Sequence, residues 1–431
     1  AWTRPSRRER MTRVMIAAPS SGAGKTTVTL ALMRILRREG IPFQPAKSGP
    51  DYIDPRFHEV AAGCTSVNLD AWAMPLSQIK NLSGPGNLIV EGSMGLFDGA
   101  GLTGKGSAAD LANMLSLPVI LVIDAAKTAH SVAAMVQGFA RFDPQVTVAA
   151  VIFNRVGSPR HLQMLQAALS GSGIPVFAHL LRSENYALPE RHLGLVQASE
   201  NRDLDGWIDR VADALSMSLD LPALCALTNE AVKTEFIPTR PPAQHIAVAR
   251  DLAFEFSYPH QLRGWQEAGA SLSFFSPLAD EAAPKDSGYI FLPGGYPELH
   301  APHLAAAQKF KASMARHAAT GSAIYGECGG YMVLGRGLVD AKGGRHEMLG
   351  LLPLETSFQT PKLHLGYRQL TPLSDHFTGA LGAHEFHYAT TLTADGPPLF
   401  ATEDADGAFL GNMGLHIGQT CGSFAHIITG P

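Results

Sequence analysis

Apolar positions fall along the chain in two separate series. Residues 13–18 (RVMIAA) form a short apolar run that predicts a buried strand. After a glycine-rich turn, Val28, Leu32, Ile35 and Leu36 recur at helical spacing and predict a helix over about 25–38. Further apolar runs follow at 87–91 (NLIVE), 118–124 (PVILVID) and 146–153 (VTVAAVIF), with helical segments between them. Continuous apolar strands alternating with helices predict a parallel sheet covered on both faces. Residues 229–244 (NEAVKTEFIPTRPPAQ) break this pattern with Pro238, Pro241 and Pro242 and read as a linker. A second series then runs through 245–249 (HIAVA), 271–275 (SLSFF), 289–293 (YIFLP) and 322–326 (SAIYG), a second α/β unit. The expected organisation is an extension at 1–10 ahead of a natural start at Met11, a domain at 11–228, the linker at 229–244, and a domain at 245–431.

Composition narrows the classes. Among 431 residues, 45% are apolar and 17% charged, which suits domains with real cores and argues against disorder. The net charge of −4 gives no footprint for a nucleic-acid partner. Four cysteines lie far apart, at 64, 225, 328 and 421, without metal-ligand spacing, so a reducing cytoplasm is the expected compartment. No apolar run is long enough for a membrane span, and no apolar stretch follows Arg4, Arg7, Arg8 and Arg10 as a secretory signal requires.

The first chemical signal follows the first strand. In PSSGAGKTT (19–27), Gly22 and Gly24 let the backbone curl its amides around an anion. Lys25 can reach terminal phosphates, and Thr26, followed by Thr27, offers magnesium a hydroxyl at the start of a helix. Pro19 stands where the phosphate-loop pattern has its first glycine, and Ser20 stands where dimerising partition-type ATPases carry a lysine. KSGPDYIDP (47–55) and EGSMGLFD (91–98) each follow a strand, where a parallel sheet opens onto its ligand crevice. Asp51, Asp54, Glu91 and Asp98 are therefore expected near the phosphates, with Asp70 joining them. Thr26, Asp51 and Glu91 are the expected magnesium ligands, and Lys47 would neutralise charge during phosphoryl transfer. A solvated loop carboxylate is the ordinary role of any one of these acids. Asn154, closing VIFNRV, suits either a purine edge or a turn cap.

The second signal is SAIYGECGG (322–330), where a short strand meets Cys328 among glycines. Small residues suit a strand-to-helix elbow that exposes a nucleophile, and the following helix is expected to lower the thiol pKa. A lone buried cysteine is ordinarily a small hydrophobe, and Cys64, Cys225 and Cys421 are read that way. LPGGYPEL (292–299) offers Gly294 and Gly295 amides for an oxyanion hole. GSFAHII (422–428) supplies His426 as a base, although a satisfied core histidine is the ordinary reading. His384 and His387 in GAHEFHY do not fit HExxH, which argues against zinc there, and His364 is a further histidine of note.

Together SSGAGKTT, KSGPDYIDP, EGSMGLFDG, LPGGYPEL, YGECGGYMVLG, AHEFHY and GSFAH resemble the cobyrinic or hydrogenobyrinic acid a,c-diamide synthases of corrinoid biosynthesis. The resemblance spans residues 14–427. It implies an α/β architecture: a dethiobiotin-synthetase-like P-loop NTPase parallel-sheet domain joined to a class I glutamine amidotransferase α/β domain. It implies Cys328 as glutaminase nucleophile and His426 as its base, with ATP and glutamine as co-substrates and magnesium as cofactor. Class I amidotransferases usually carry His-x-Glu; here Ile427 and Ile428 follow His426, so the third member is missing, as in the cobalamin-type branch. The implied reaction phosphorylates an acetate side chain, releases ammonia at Cys328, and passes it between the domains to give the amide, twice over. The implied partner is a corrinoid tetrapyrrole, without nucleic acid or membrane, and a homodimer is open. Alternatives are a nickel-sirohydrochlorin a,c-diamide synthase, a P-loop ATPase regulator with an inactive amidase domain, and a cysteine hydrolase with nucleotide as effector.

Overall fold

The computed structural model describes residues 11–186, 190–191, 194–195, 197–201, 203–229 and 240–429. The expected extension at 1–10 and most of the expected linker lie outside them. The chain divides into two compact units, Ala1–Phe236 and Ile237–Pro431.

In the first unit, strands β1 (Met11–Ala17), β2 (Gln44–Ser48), β3 (Val67–Leu69), β4 (Leu88–Glu91), β5 (Val119–Asp124), β6 (Val148–Val156) and β7 (Val176–Leu181) form one parallel sheet. Their order is β3-β2-β4-β1-β5-β6-β7. Val14, Met15 and Ile16 of β1 and Ile120, Leu121 and Val122 of β5 are fully buried, which is why these strands read as unbroken apolar runs. Burying each such side chain contributes roughly 1.5–3 kcal/mol. Helices α1 (Lys25–Arg38) and α2 (Asp54–Ala62) begin just beyond the carboxyl ends of β1 and β2. Chain order reverses beside β1, and ligands of such sheets sit at that switch point. Arg34 of α1 is buried and pairs with Asp205, at 2.6 Å, and Asp209 on the helix Leu204–Ser216, fixing the outer face of α1.

The second unit centres on a mixed sheet of strands β8 (His245–Ala249), β9 (Ser271–Phe275), β10 (Tyr289–Leu292), β11 (Ala323–Glu327), β12 (His364–Pro372), β13 (Leu381–His387), β14 (Pro398–Glu403), β15 (Phe409–Ile417), β16 (Thr420–Ser423) and β17 (Ala425–Thr429). Their order is β9-β8-β10-β11-β16-β15-β14-β12-β13-β17. The first five are mutually parallel and the rest pair antiparallel. Only Phe424 separates β16, which pairs with β11, from β17 at the far end of that path. The chain is thereby turned back so that β17 enters beside the end of β11. Helix α3 (Gly329–Leu334) follows β11 after a single residue, Cys328.

Candidate active site

The loop from β1 to α1 takes the left-handed conformations that glycine permits, with φ of 78° at Gly22 and 89° at Gly24. Gly24 is needed for a second reason: a Cβ there would lie 2.0 Å from Asn154 Nδ2. Asn154 is buried and donates to the Ala23 carbonyl at 2.9 Å, while its own oxygen accepts from the Arg155 amide. These two bonds latch the loop. Arg155, which the sequence did not single out, donates to the Gly22 carbonyl at 2.9 Å and to Asp124 at 2.6 Å. Thr27 is half-buried in the first turn of α1, which carries no acidic residue to oppose an anion.

Beyond the loop, Glu91 is fully buried and its oxygens are used. Oε1 accepts from Thr26 Oγ1 at 2.6 Å and Lys47 Nζ at 2.9 Å, and Oε2 meets His58 Nε2 at 2.8 Å. Lys47 also donates to Asp54. Burial opposes ionisation of both groups. For Glu91, Lys47 and His58 outweigh it and hold the carboxyl well below its usual range. For Lys47, Asp54, Glu91 and Asp51 outweigh it and push the ammonium above its usual range. Removing one partner from a buried pair of this kind costs about 3–5 kcal/mol. Burial and the neighbouring Asp51 raise Asp54 to about 8 against the pull of Lys47. Burial and the nearby Lys47 lower Lys25 to about 8, partly offset by Glu91, Asp54 and Asp98. Lys25 donates to the Met94 carbonyl.

The expected carboxylates thus separate by role. Asp54 and Glu91 meet across Lys47. Asp51 Oδ1 accepts from the amides of Ile53 and Asp54, at 2.7 and 3.1 Å, and so fixes the start of α2. Asp98 is exposed, closes the 95–98 loop on the Gly95 amide at 2.9 Å, and reaches Lys25 by charge. Asp70 is fully buried and accepts from the Trp72 and Ala73 amides at 2.9 and 2.8 Å, a turn-forming arrangement. His58 went unread in the sequence, though its place four residues after Asp54 on α2 puts both on one helix face. Thr26, Glu91 and Asp54 meet around Lys47 through oxygen atoms, the donor type a hard divalent cation takes.

In the second unit β11 delivers Cys328 at φ 47° and ψ −103°, a backbone state that non-glycine residues rarely adopt. The Cys328 amide donates to the Ser423 carbonyl at 2.8 Å. The flanking glycines are required by close approach: a Cβ on Gly330 would lie 1.9 Å from the Leu292 carbonyl oxygen. A Cβ on Gly294 would lie 2.3 Å from His426 Cε1, 3.1 Å from Nε2 and 3.4 Å from Cys328 Cβ. Gly294 therefore marks the point where imidazole and thiol converge. A Cβ on Gly329 would lie 2.9 Å from the Gly295 amide nitrogen, so that amide sits beside the nucleophile's turn.

The expected lowering of the thiol pKa is not what the structure shows. Burial pushes the Cys328 thiol up, and Glu298, Glu385 and Glu327 add to the rise, against the Gly329 amide alone. Helix α3 spans only Gly329–Leu334, too short to reverse that. Burial lowers His426 to about 3, with His384 and His387 contributing. Glu327 Oε2 lies 3.8 Å from His426 Nδ1. Its other oxygen accepts from the Ile427 amide at 3.1 Å. Nothing in the sequence beyond its place before Cys328 pointed to Glu327. On β13, paired with β17 at His384 and His426, Glu385 bridges Arg368 at 2.8 Å and His387 at 2.9 Å. His364, Glu385 and His387 offer donor atoms within 4.8 Å of one another, with the Arg368 cation already on Glu385. Cys64, Cys225 and Cys421 are free thiols outside this elbow.

A parallel sheet ending in a phosphate loop, and a second sheet with cysteine at its elbow and histidine beside it, define a nucleotide-binding unit joined to a glutamine amidotransferase. Comparison with known proteins agrees. Residues 14–196 match the CobQ/CobB/MinD/ParA nucleotide binding domain, and residues 245–431 match the CobB/CobQ-like glutamine amidotransferase domain. Over 426 residues the chain is 51% identical to the hydrogenobyrinate a,c-diamide synthase of Brucella abortus biovar 1 (strain 9-941), covering 96% of this chain and 98% of that one. It is 53% identical over 426 residues to the protein of that name from Rhizobium meliloti (strain 1021), covering 97% and 99%. The chain belongs to the hydrogenobyrinate a,c-diamide synthase family and is a carbon–nitrogen ligase of the glutamine-dependent class. Among the described residues no helix is long and apolar enough to cross a membrane.

Proposed function

We propose that this protein converts the a and c acetate carboxylates of hydrogenobyrinic or cobyrinic acid to amides, using ATP and glutamine. The observation that carries the reading is the match to relatives of that name along almost the whole chain, at 51% and 53% identity. In this reading Gly22, Gly24, Lys25, Thr26 and Thr27 hold the ATP phosphates, and Lys47 faces the transferred group. Thr26, Glu91 and Asp51, with Asp54 beside them, would hold magnesium. The ion would neutralise phosphate charge. A substrate carboxylate oxygen attacks the γ-phosphorus, ADP leaves, and an acyl phosphate results.

At the other site the Cys328 thiol gives its proton to His426 Nε2 and attacks the glutamine amide carbon. The Gly294 and Gly295 amides face the developing oxyanion. The imidazolium returns that proton to the amide nitrogen, the C–N bond breaks and ammonia leaves, and water then cleaves the thioester to glutamate and the free thiol. Ammonia then displaces phosphate from the acyl phosphate to form the amide. Because only unprotonated ammonia is nucleophilic, its transfer has to avoid bulk water. The enzyme acts in the cytoplasm, and sedimentation would establish whether it is a homodimer.

The test incubates the protein with ATP, glutamine and each candidate tetrapyrrole, including nickel-sirohydrochlorin, and follows the product by mass spectrometry. Two acid-to-amide exchanges on hydrogenobyrinic or cobyrinic acid are expected; exchange on nickel-sirohydrochlorin alone would overturn the assignment. Cys328→Ala should abolish glutamine use and retain ammonia use, whereas Lys25→Ala should stop amide formation from either nitrogen source.

A further inference from the structure

A cysteine–histidine pair works as nucleophile and base only if the imidazole presents a bare nitrogen to the thiol. Something must therefore hold the proton on the other nitrogen. The common class I arrangement uses a carboxylate two residues after the histidine, but here that residue is Ile428, an apolar and buried side chain. The ring's orientation shows where a substitute has to be. Cε1 and Nε2 face the Gly294 and Cys328 side. Nδ1 faces β11, where Glu327 is the last strand residue before the nucleophile.

Glu327 is built into that place. Its side chain is 1% exposed and that of His426 is 0% exposed, so water does not screen the pair. Oε1 is tethered by the Ile427 amide, which belongs to the residue after His426 and lies 100 positions away in sequence. The tether leaves Oε2 aimed at Nδ1, 3.8 Å away. That is ion-pair rather than hydrogen-bond distance. We infer that Glu327 is the positioning residue of the glutaminase site, holding the Nδ1–H of His426 so that Nε2 faces Cys328 bare. The inference rests on the glutaminase reading above.

The electrostatics show why such a group is needed. Burial, His384 and His387 all disfavour the imidazolium that forms when the thiol proton reaches Nε2. A carboxylate at Nδ1 offsets them, so positive charge develops between thiolate and carboxylate. Burial raises Glu327 itself to about 8, with the Ile427 amide opposing. The titratable groups acting on the pair are Tyr325 on the same strand, Tyr289 on β10, Cys328, and His384 and His387 on β13. Ionised Glu327 with Nδ1 protonated is the working form, so glutamine use rises as pH passes through about 8.

The test compares wild type with Glu327→Gln, which keeps shape and can still accept from the Ile427 amide. Glutamine-dependent kcat is expected to fall about 100-fold or more. Ammonia-dependent amide formation should be unchanged, and the acid limb of kcat/KM for glutamine near pH 8 should vanish. A merely structural residue would leave that limb in place. Unchanged glutamine turnover, or a limb that persists, overturns the inference. Should the variant lose ammonia use as well, ring ¹⁵N shifts of His426 in the wild type decide. Above the limb they should report the Nδ1–H tautomer, and the Nε2–H tautomer refutes the role. Cys328→Ala is run in parallel: if it still uses glutamine, the glutaminase reading itself has failed.

Discussion

One methyl group at Gly294 should separate the two activities of this protein. Alanine is allowed by the backbone there, since Gly294 is not among the residues with positive φ. Its Cβ, however, would sit 2.3 Å from His426 Cε1, where carbon atoms normally stand ~3.5–4.0 Å apart. The shortfall exceeds ~1 Å, and the ring cannot slide toward Cys328, whose Cβ is already 3.4 Å from the new methyl. The imidazole must tilt away from the thiol. A misplacement of about 1 Å at a reacting group costs about 10²-fold in rate, and overpacking a dense site costs about 1–3 kcal/mol of stability. Gly294→Ala should therefore lower glutamine-dependent kcat about 10²-fold, with ammonia-dependent synthesis near wild type. Steady-state assays with either nitrogen source, at saturating ATP and tetrapyrrole, measure the ratio. Gly295→Ala is the contrast: its Cβ would meet the Ala253 backbone carbonyl at 2.1 Å, so folding of the whole unit should suffer. Wild-type glutamine turnover in folded Gly294→Ala would show that His426 is not the base that Gly294 accommodates.

Two further outcomes follow from the buried titratable groups. With Lys25 lowered to about 8, the free protein is partly uncharged there at pH 8, and bound phosphates restore the charge. Nucleotide binding should take up protons near pH 8 and much less at pH 7, seen by calorimetry in buffers of different ionisation enthalpy; Lys25→Ala should abolish the uptake. His260, buried and donating to the Ile428 carbonyl at 2.8 Å, is lowered to about 4 by burial. Its depressed pKa gives a stability that is full above the unfolded value of 6.5 and falls as pH drops toward 4. That loss reaches about 2 kcal/mol by pH 5. Hydrogen exchange at the β17 amides should speed accordingly, and His260→Gln should flatten the dependence.

The strands legible in sequence were those buried on both faces. The run at 118–124 became β5 and that at 87–91 became β4, because both faces of a parallel sheet demand apolar residues. β12 and β15 went unread for the opposite reason. Phe409 and Leu410 of β15 are exposed, and its pattern of burial follows no simple alternation. In the site, what local motifs carry was legible: the phosphate loop, Cys328 and His426. What depends on distant strands was not. Asn154 of VIFNRV suited a purine edge or a turn cap, and its bond to Ala23, 131 positions away, could not be read from its neighbours. His58 matters only because α2 brings it to Glu91 on β4, and Glu327 only because β17 returns beside β11.

The elbow at Cys328 leaves a mark on the chain's history. A side chain held at φ 47° and ψ −103° stores roughly 1–3 kcal/mol that glycine would not. Selection for glutamine use keeps that strain in place; without such selection, drift toward glycine is rewarded by a tougher fold. A relative fed by free ammonia would thus lose its thiol by becoming more robust. Glycine after Glu327, in an otherwise intact YGECGG-like segment, would identify such a lineage from sequence alone.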